Sequence, residues 1–168
     1  MNQPIEPISE QFIQEAHKLL LQDHEAMAYL RGERKLSRET IERFRLGLSF
    51  RNGNRWLVIP YFSNGNLINI KFRSLPPAPK AFLRAEGYPS TLFNEDALNG
   101  TEEAFVCEGE IDTITLVQNG FPNAVGVTCG AETFLPEWID RFANIKRIFS
   151  ATILTKPGNE GQGRRQSF

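Results

Sequence analysis

The sequence predicts an α/β protein in which a helical and β-hairpin subdomain precedes a truncated, Rossmann-like βαβαβ unit. Three observations predict this class. Apolar residues recur at helical spacing in residues 9–46, and two β-rich runs separated by a turn occupy residues 55–73. From residue 104 onward, strand and helix patterns alternate. With 168 residues, 40% of them apolar, the chain can form a core and one domain or two small ones.

Residues 9–46 have the pattern of two or three short helices. Ser9 and Ser37 are candidate N-caps, because a serine hydroxyl can accept a hydrogen bond from a free backbone N–H of the first turn. Gly47 is the candidate stop of the last helix. The first helix has an apolar stripe that we expect to pack on the following segment: Phe12, Ile13, Ala16, Leu19 and Leu20.

The clearest local feature is the hairpin. Residues 56–62 and 67–73 are strand candidates, and the Ser-Asn-Gly-Asn sequence between them is a strong turn signal. Residues 75–80 contain three prolines and predict an extended loop. Three aromatic residues of the first strand could stack on bases: Trp56, Tyr61 and Phe62. We favour a place in the hairpin core, because aromatic side chains prefer buried sheet positions.

The second half of the chain predicts a parallel sheet. Strand candidates are residues 104–107, 124–127 and 146–149, and helix candidates are residues 112–119 and 133–142, the latter with Leu135, Ile139 and Phe142 on one face. The order βαβαβ implies parallel strands joined by right-handed crossovers.

Composition excludes several classes of protein. The net charge of −1 gives no electrostatic argument for nucleic-acid binding by the whole chain. Cys107 and Cys129, with His17 and His24 far away in sequence, do not complete a zinc spacing and are expected to stay reduced. The chain has neither an apolar run of about 18 residues nor a signal-peptide pattern at its start, so we expect a cytoplasmic location.

Acidic residues cluster where the first strand of the βαβαβ unit meets its helix. Glu108, Glu110 and Asp112 surround Gly109, which permits a sharp turn and the approach of a ligand. Ligands of parallel sheets bind at the carboxyl ends of strands, and carboxylates suit Mg²⁺. The alternative is structural, because the helix dipole alone favours acidic residues in a first turn. The spacing of these residues is compatible with both a metal-binding and a structural role.

An ordered set of segments resembles the TOPRIM-domain DNA primases, and it looks most like the phage or plasmid type, often fused to a helicase. Residues 105–112 resemble the first TOPRIM motif, a strand running into Glu-Gly-x-x-Asp. Residues 120–127 resemble the second strand with its lead-in, and Gly130 resembles the turn that closes it. The resemblance covers about residues 25–149 and includes further segments: 29–37, 44–47, 58–60, 71–73 and 91–94.

The resemblance implies roles for individual residues. It implies that Glu108 is the essential acid or base, and that Glu108, Glu110 and Asp112 bind Mg²⁺ or Mn²⁺. Gly109 and Gly130 would form the backbone turns of the site.

The resemblance also implies that Lys71, Arg73 and Lys80 line the path of the template or of the incoming nucleotide. The alternative for Lys71 and Arg73 is a solvated strand face. The implied activity is Mg²⁺-dependent RNA primer synthesis on single-stranded DNA from nucleoside triphosphates, with a replicative helicase as a candidate partner.

The chain departs from the family after its third strand. A TOPRIM domain needs an Asp-x-Asp motif there, yet no aspartate follows Asp140. Codons for residues 151–161 permit Tyr-Asp-Thr-Asp-Lys-Ala-Gly two bases over, so we hypothesise a frameshifted or disordered tail at residues 150–168. An authentic, divergent C-terminus is the alternative. We therefore expect a primase-type subdomain at residues 1–100, with helices at 9–46, the hairpin at 55–73 and a loop at 74–100, followed by a partial TOPRIM domain at residues 101–149.

The missing motif leaves alternative functions open. This chain is expected to lack primase activity by itself, because tight magnesium sites need closely placed carboxylates. A non-catalytic nucleic-acid-binding TOPRIM protein, or an inert fragment, is the alternative class. A TOPRIM nuclease or topoisomerase fits less well, since the upstream hairpin argues against it and no candidate nucleophilic tyrosine lies near the motifs.

Overall fold

The computed structural model describes residues 8–85, 87–127 and 135–151, which form two sheets and several short helices. The first sheet is antiparallel with the order β1-β2-β3-β4. The second is parallel with the order β6-β5-β7. The strands are β1 (Gly47–Arg51), β2 (Asn54–Ser63), β3 (Asn66–Ser74), β4 (Phe82–Arg84), β5 (Glu103–Cys107), β6 (Ala124–Gly126) and β7 (Arg147–Ala151). The α/β class, the hairpin and the parallel sheet are confirmed.

Four α-helices and a π-helical turn connect or cover these sheets: α1 (Glu10–Gln22), α2 (His24–Ala28), the π-helix Tyr29–Glu33, α3 (Arg38–Arg43) and α4 (Glu110–Gln118). Both predicted N-caps are confirmed. The Ser9 hydroxyl accepts from a backbone N–H of α1 at 3.1 Å, and the Ser37 hydroxyl from one of α3 at 3.0 Å. No helix within these residues is long and apolar enough to cross a membrane.

The predicted stop at Gly47 is wrong. Helix α3 ends at Arg43, and Arg45 takes the left-handed conformation that ends it, with φ of 49°. Gly47 instead begins β1, a strand that the sequence analysis missed. A Cβ on Gly47 would lie 2.7 Å from the Cβ of Ala16, so glycine is needed there because α1 packs directly on the strand.

Two further predictions need correction. The segment 74–100 is not all loop, since it contains β4 and the 3₁₀ turn Glu95–Leu98. The helix predicted at residues 133–142 is the 3₁₀ helix Pro136–Phe142, and residues 133 and 134 lie outside the described residues. Trp138 and Phe142 are buried, whereas Ile139, predicted on the apolar face, is 60% exposed. The tighter 3₁₀ spacing changes which side chains share a face.

Helix α4 lies against both sheets. Alternate residues of β2 and β3 point to opposite faces. One face packs on α1 through Val58, Ile70 and Phe72, and the other contributes Leu57, Ile59 and Tyr61 to a core with Ile111 and Ile114 of α4. On its other side, α4 packs through Val117 on Cys107 and Ala124 of the parallel sheet. The start of α4 is therefore held against the hairpin.

Candidate active site

The carboxyl end of β5 and the first turn of α4 form the candidate site. Glu108 is exposed, and Asp112 is half-buried one turn further on. The Thr113 backbone N–H and hydroxyl both donate to the Gly109 carbonyl, at 3.1 and 2.9 Å. A Cβ on Gly126 of β6 would lie 2.8 Å from the Thr113 hydroxyl oxygen. The turn is thus fixed by the close approach of the neighbouring strand.

Gly109 is not required by its backbone angles. Its φ of −160° is extended backbone that other residues also adopt. A Cβ there would lie 4.0 Å from a carboxylate oxygen of Asp112, with no closer neighbour among the described residues. Within that part of the chain, the bare Cα leaves space beside the carboxylate, and a ligand would need such space.

The three predicted carboxylates do not converge. The Glu110 carboxylate is buried and accepts hydrogen bonds from the Tyr61 hydroxyl at 2.6 Å and from the Lys71 ammonium at 2.7 Å. Residues two apart on a helix are about 200° apart around its axis, so Glu110 and Asp112 face different directions. The Glu110 carboxylate is therefore bound to the hairpin, whereas Glu108 and Asp112 lie close to each other.

Strand β3 and the segment between β3 and β4 bring the three predicted basic residues together around one aromatic ring of β4. Arg73 pairs with Phe82 across the two strands. The Phe82 ring centroid lies 4.9 Å from the Lys71 Nζ, 5.9 Å from the Arg73 Cζ and 5.5 Å from the Lys80 Nζ, and this side chain is 44% exposed. Lys71 is 9% exposed, so a solvated strand face does not describe it.

Arg34 is a member of the site that sequence reasoning missed. It follows the π-helix, and its Nε donates to the Tyr29 hydroxyl at 2.7 Å. Its charge acts on both Arg73 and Asp112. A π-helical turn is not readable from residue periodicity, although Arg34 falls within the segment 29–37 that resembles primases.

Electrostatics couple the acidic pair to the cations. Burial, and then the neighbouring Glu108 charge, raises the pKa of Asp112, while Arg34, Arg73 and Lys80 partly offset this rise. Burial and the charge of Arg34 lower the pKa of Arg73. The Arg73 Nε is buried and has no hydrogen-bond partner among the described residues. We call Glu108, Asp112, Arg34, Arg73 and Lys80 the charge cluster.

The charge cluster has the chemistry to hold a metal-bound phosphate. No group of three or more ligating side chains occurs within residues 8–85, 87–127 and 135–151. Two carboxylates still fit Mg²⁺, which is commonly held by one or two carboxylates and by substrate phosphates. Guanidinium and ammonium groups beside them suit phosphate oxygens. Gly130, the second predicted turn, lies outside the described residues, as does Cys129.

Two plant proteins are similar to this chain in sequence. No family model matches the chain. It is 32% identical over 129 residues to the Twinkle homolog protein, chloroplastic/mitochondrial, of Arabidopsis thaliana, which covers 76% of this chain and 18% of that protein. It is 31% identical over 98 residues to the Primase homolog protein of the same plant, covering 58% of this chain and 28% of the relative. The chain thus spans under a third of either relative.

Solved structures of primases share the fold. The E. coli primase catalytic core matches 84% of this chain and 59% of its own, with a TM-score of 0.68 and 18% identity. The primase fragment of the bacteriophage T7 primase-helicase protein matches 71% of this chain and 51% of its own, with a TM-score of 0.60 and 25% identity.

The fold is that of a primase catalytic core. Similarity to the two plant proteins and to the T7 fragment supports a TOPRIM primase domain in this chain.

Proposed function

We propose that this chain forms part of a DNA primase catalytic region that uses the charge cluster to bind a nucleoside triphosphate and a single-stranded DNA template. The observation that carries the proposal is that Asp112, next to Glu108, is close enough to Arg34, Arg73 and Lys80 to interact with their charges. The reaction would be nucleotidyl transfer, in which a primer hydroxyl attacks the α-phosphate of a triphosphate and pyrophosphate leaves.

The cations would orient the phosphates and the carboxylates would hold a metal ion. Arg73 would donate a hydrogen bond to a phosphate oxygen, because its buried Nε has no described protein acceptor. Arg34, whose Nε donates to the Tyr29 hydroxyl, would add a second positive charge beside it. Mg²⁺ or Mn²⁺ at Glu108 and Asp112 would neutralise the charge that develops on the phosphate. The predicted third ligand, Glu110, would serve instead by fixing the start of α4 against the hairpin.

Relatives supply the proposed template and partners. One primase structure with this fold is described as bound to single-stranded DNA. Another shows T7 primase domains bound to an RNA/DNA hybrid beside a DNA polymerase. A replicative helicase is a proposed partner by analogy with the T7 primase-helicase protein. The phage or plasmid type stays a prediction, as does the cytoplasmic location, and one relative is named chloroplastic/mitochondrial.

A binding-only role is the second candidate. The sequence has no aspartate after Asp140, so the expected Asp-x-Asp motif is absent from it. Nucleic-acid binding through the cations needs no such motif. Residues 152–168 lie outside the described residues, and the frameshift hypothesis stays a prediction.

The test is a primer-synthesis assay paired with a DNA-binding assay. The chain is incubated with single-stranded DNA, nucleoside triphosphates and Mg²⁺ or Mn²⁺, and primers are resolved on a gel. The variants are Glu108→Gln, Asp112→Asn and Lys80→Gln. Glu102→Gln is the control, because the Glu102 carboxylate is exposed and its ion pair in the described part of the chain is with the exposed Lys146.

The outcomes separate the candidates. Primers that disappear with Glu108→Gln but not with Glu102→Gln support catalysis. DNA binding without primers, weakened by Lys80→Gln, supports the binding-only role. If the chain neither makes primers nor binds DNA, both candidate functions are refuted.

A further inference from the structure

A cleft at the hairpin-turn end of the first sheet is lined by residues that the charge cluster does not include. It has a volume of about 360 Å³, within the range of small-molecule sites. Its walls come from the end of α3, the end of β2, the hairpin turn and the segment before the 3₁₀ turn Glu95–Leu98, and they include Arg43, Arg45, Phe62, Phe93 and Asp96. We call it the turn cleft.

We propose that the turn cleft is a second nucleotide-binding site, which takes one planar base and its phosphate. The lining combines aromatic rings with two guanidinium groups. Aromatic faces and guanidinium planes stack on bases, and guanidinium groups bind phosphate oxygens in a bidentate manner. The proposal concerns residues outside the charge cluster and does not depend on the proposed primase activity.

Arg43 supplies a cation that the protein itself leaves available. Its guanidinium lies 5.8 Å from the centroid of the Phe44 ring. Within the described part of the chain, it makes no hydrogen bond or ion pair with an acidic side chain. Asp96, the acidic residue of the lining, accepts a hydrogen bond from the Asn64 backbone N–H at 2.8 Å, so its carboxylate is engaged with the hairpin turn.

Arg45 occupies a position where a side chain is costly. It ends α3 in a Schellman motif, in which its N–H donates to the Glu42 carbonyl at 2.9 Å and the Leu46 N–H donates to the Ile41 carbonyl at 3.1 Å. Its φ of 49° is the left-handed conformation that usually selects glycine there. Arginine therefore stands at a backbone position that glycine would occupy without strain.

The Arg45 side chain is held over the cleft wall. Its guanidinium lies 4.9 Å from the Phe62 ring centroid and pairs with Glu10 at 2.6 Å. Phe62 is partly exposed, so it does not lie in the hairpin core as we expected. The neighbouring Tyr61 is 3% exposed and does lie in that core. A base entering the cleft would meet a ring and a guanidinium already arranged for stacking.

The cleft is connected to the buried contacts of the candidate active site through one aromatic side chain, that of Phe93. Phe93 lines the cleft and packs edge-on against Tyr61, with ring centroids 5.1 Å apart. The Tyr61 hydroxyl donates to Glu110 at the start of α4. A nucleotide in the cleft would therefore press on the same packing that positions the first turn of α4.

Binding of two fluorescent probes to the full chain tests the proposal. The probes are N-methylanthraniloyl-AMP, a free nucleotide, and fluorescein-labelled decathymidylate, a strand, both followed by anisotropy. The variants Arg43→Gln and Arg45→Gly remove the cations, and glycine suits the left-handed backbone of residue 45. Arg38→Gln is the matched control, since Arg38 lies on the same helix and pairs with Glu42 away from the cleft. Lys80→Gln removes a cation of the charge cluster and therefore shows whether the probes bind there.

We expect the two cleft variants to weaken binding roughly tenfold, as for loss of a charge-assisted contact, with Arg38→Gln unchanged. Loss of AMP binding identifies a free nucleotide as the ligand, and loss of strand binding alone identifies a nucleotide of a DNA strand. Phe62→Leu repeats the test if Arg45→Gly does not fold. Native-like binding of both probes by the cleft variants, or losses confined to Lys80→Gln, overturns the proposal.

Discussion

The buried contact between Lys71 and Glu110 makes a sharp prediction about stability. The Lys71 side chain is 11% exposed and that of Glu110 is 4% exposed, and their charged atoms lie 2.7 Å apart. The substitution Lys71→Met keeps the aliphatic stem and removes the charge. The Glu110 carboxylate would then keep only the Tyr61 hydroxyl among its described partners.

The expected cost follows from the burial. Removing one partner of a buried ion pair leaves an uncompensated charge and costs about 3–5 kcal/mol of unfolding free energy. With a urea dependence of ~2 kcal/mol per molar, the unfolding midpoint would fall by about 1.5–2.5 M. Replacing both residues by uncharged side chains of similar size, as in Lys71→Met with Glu110→Gln, should recover much of that loss.

Urea unfolding followed by circular dichroism at neutral pH measures these differences. The matched control is Lys146→Met, which breaks a lysine–glutamate pair whose side chains are 70% and 65% exposed. Exposed pairs of this kind contribute about 0–1 kcal/mol. A midpoint for Lys71→Met as close to native as that of Lys146→Met would refute the reasoning, as would a double variant no more stable than the single one.

Three further predictions concern the same region. Gly126→Ala should cost about 1–3 kcal/mol by forcing β6 away from α4, whereas Gly32→Ala, which has open space around it, should not lower the melting temperature. Burial raises the pKa of Asp112 in the folded state above its ordinary value of 3.8. Above the raised pKa the buried charge lowers the free energy of unfolding, and this free energy recovers as the pH falls through the raised pKa. Asp112→Asn should therefore raise the urea midpoint at pH 7, flatten its pH dependence above pH 3.8 and weaken Mn²⁺ binding measured calorimetrically. Burial raises the pKa of Cys107 to about 11, so in a Cys129→Ser background its thiol should react with Ellman's reagent at pH 8 only after unfolding.

The sequence determined the features that depend on neighbours along the chain. Serine caps, the Asn-Gly turn and the alternation of strand and helix patterns are local signals, and they located α1, α3, the β2–β3 hairpin and the parallel sheet. The same locality placed Glu108 and Asp112 together at the start of α4, because a strand end and a first helical turn are adjacent in the chain.

Only the tertiary structure decided what each charged side chain meets. Glu110 looked equivalent to Asp112 in the sequence, but the helical angle between them turns Glu110 into the hairpin and onto Lys71. Arg34 and Lys80 come from segments over 40 residues apart, and packing brings both to Asp112. The sequence predicted that Gly47 ends a helix, because glycine often follows the last helical residue. In the structure glycine is needed at this position because α1, which ends 25 residues earlier, packs directly on it. Such long-range contacts leave no periodic trace in a single sequence, since they are set by how the elements pack and not by the elements themselves.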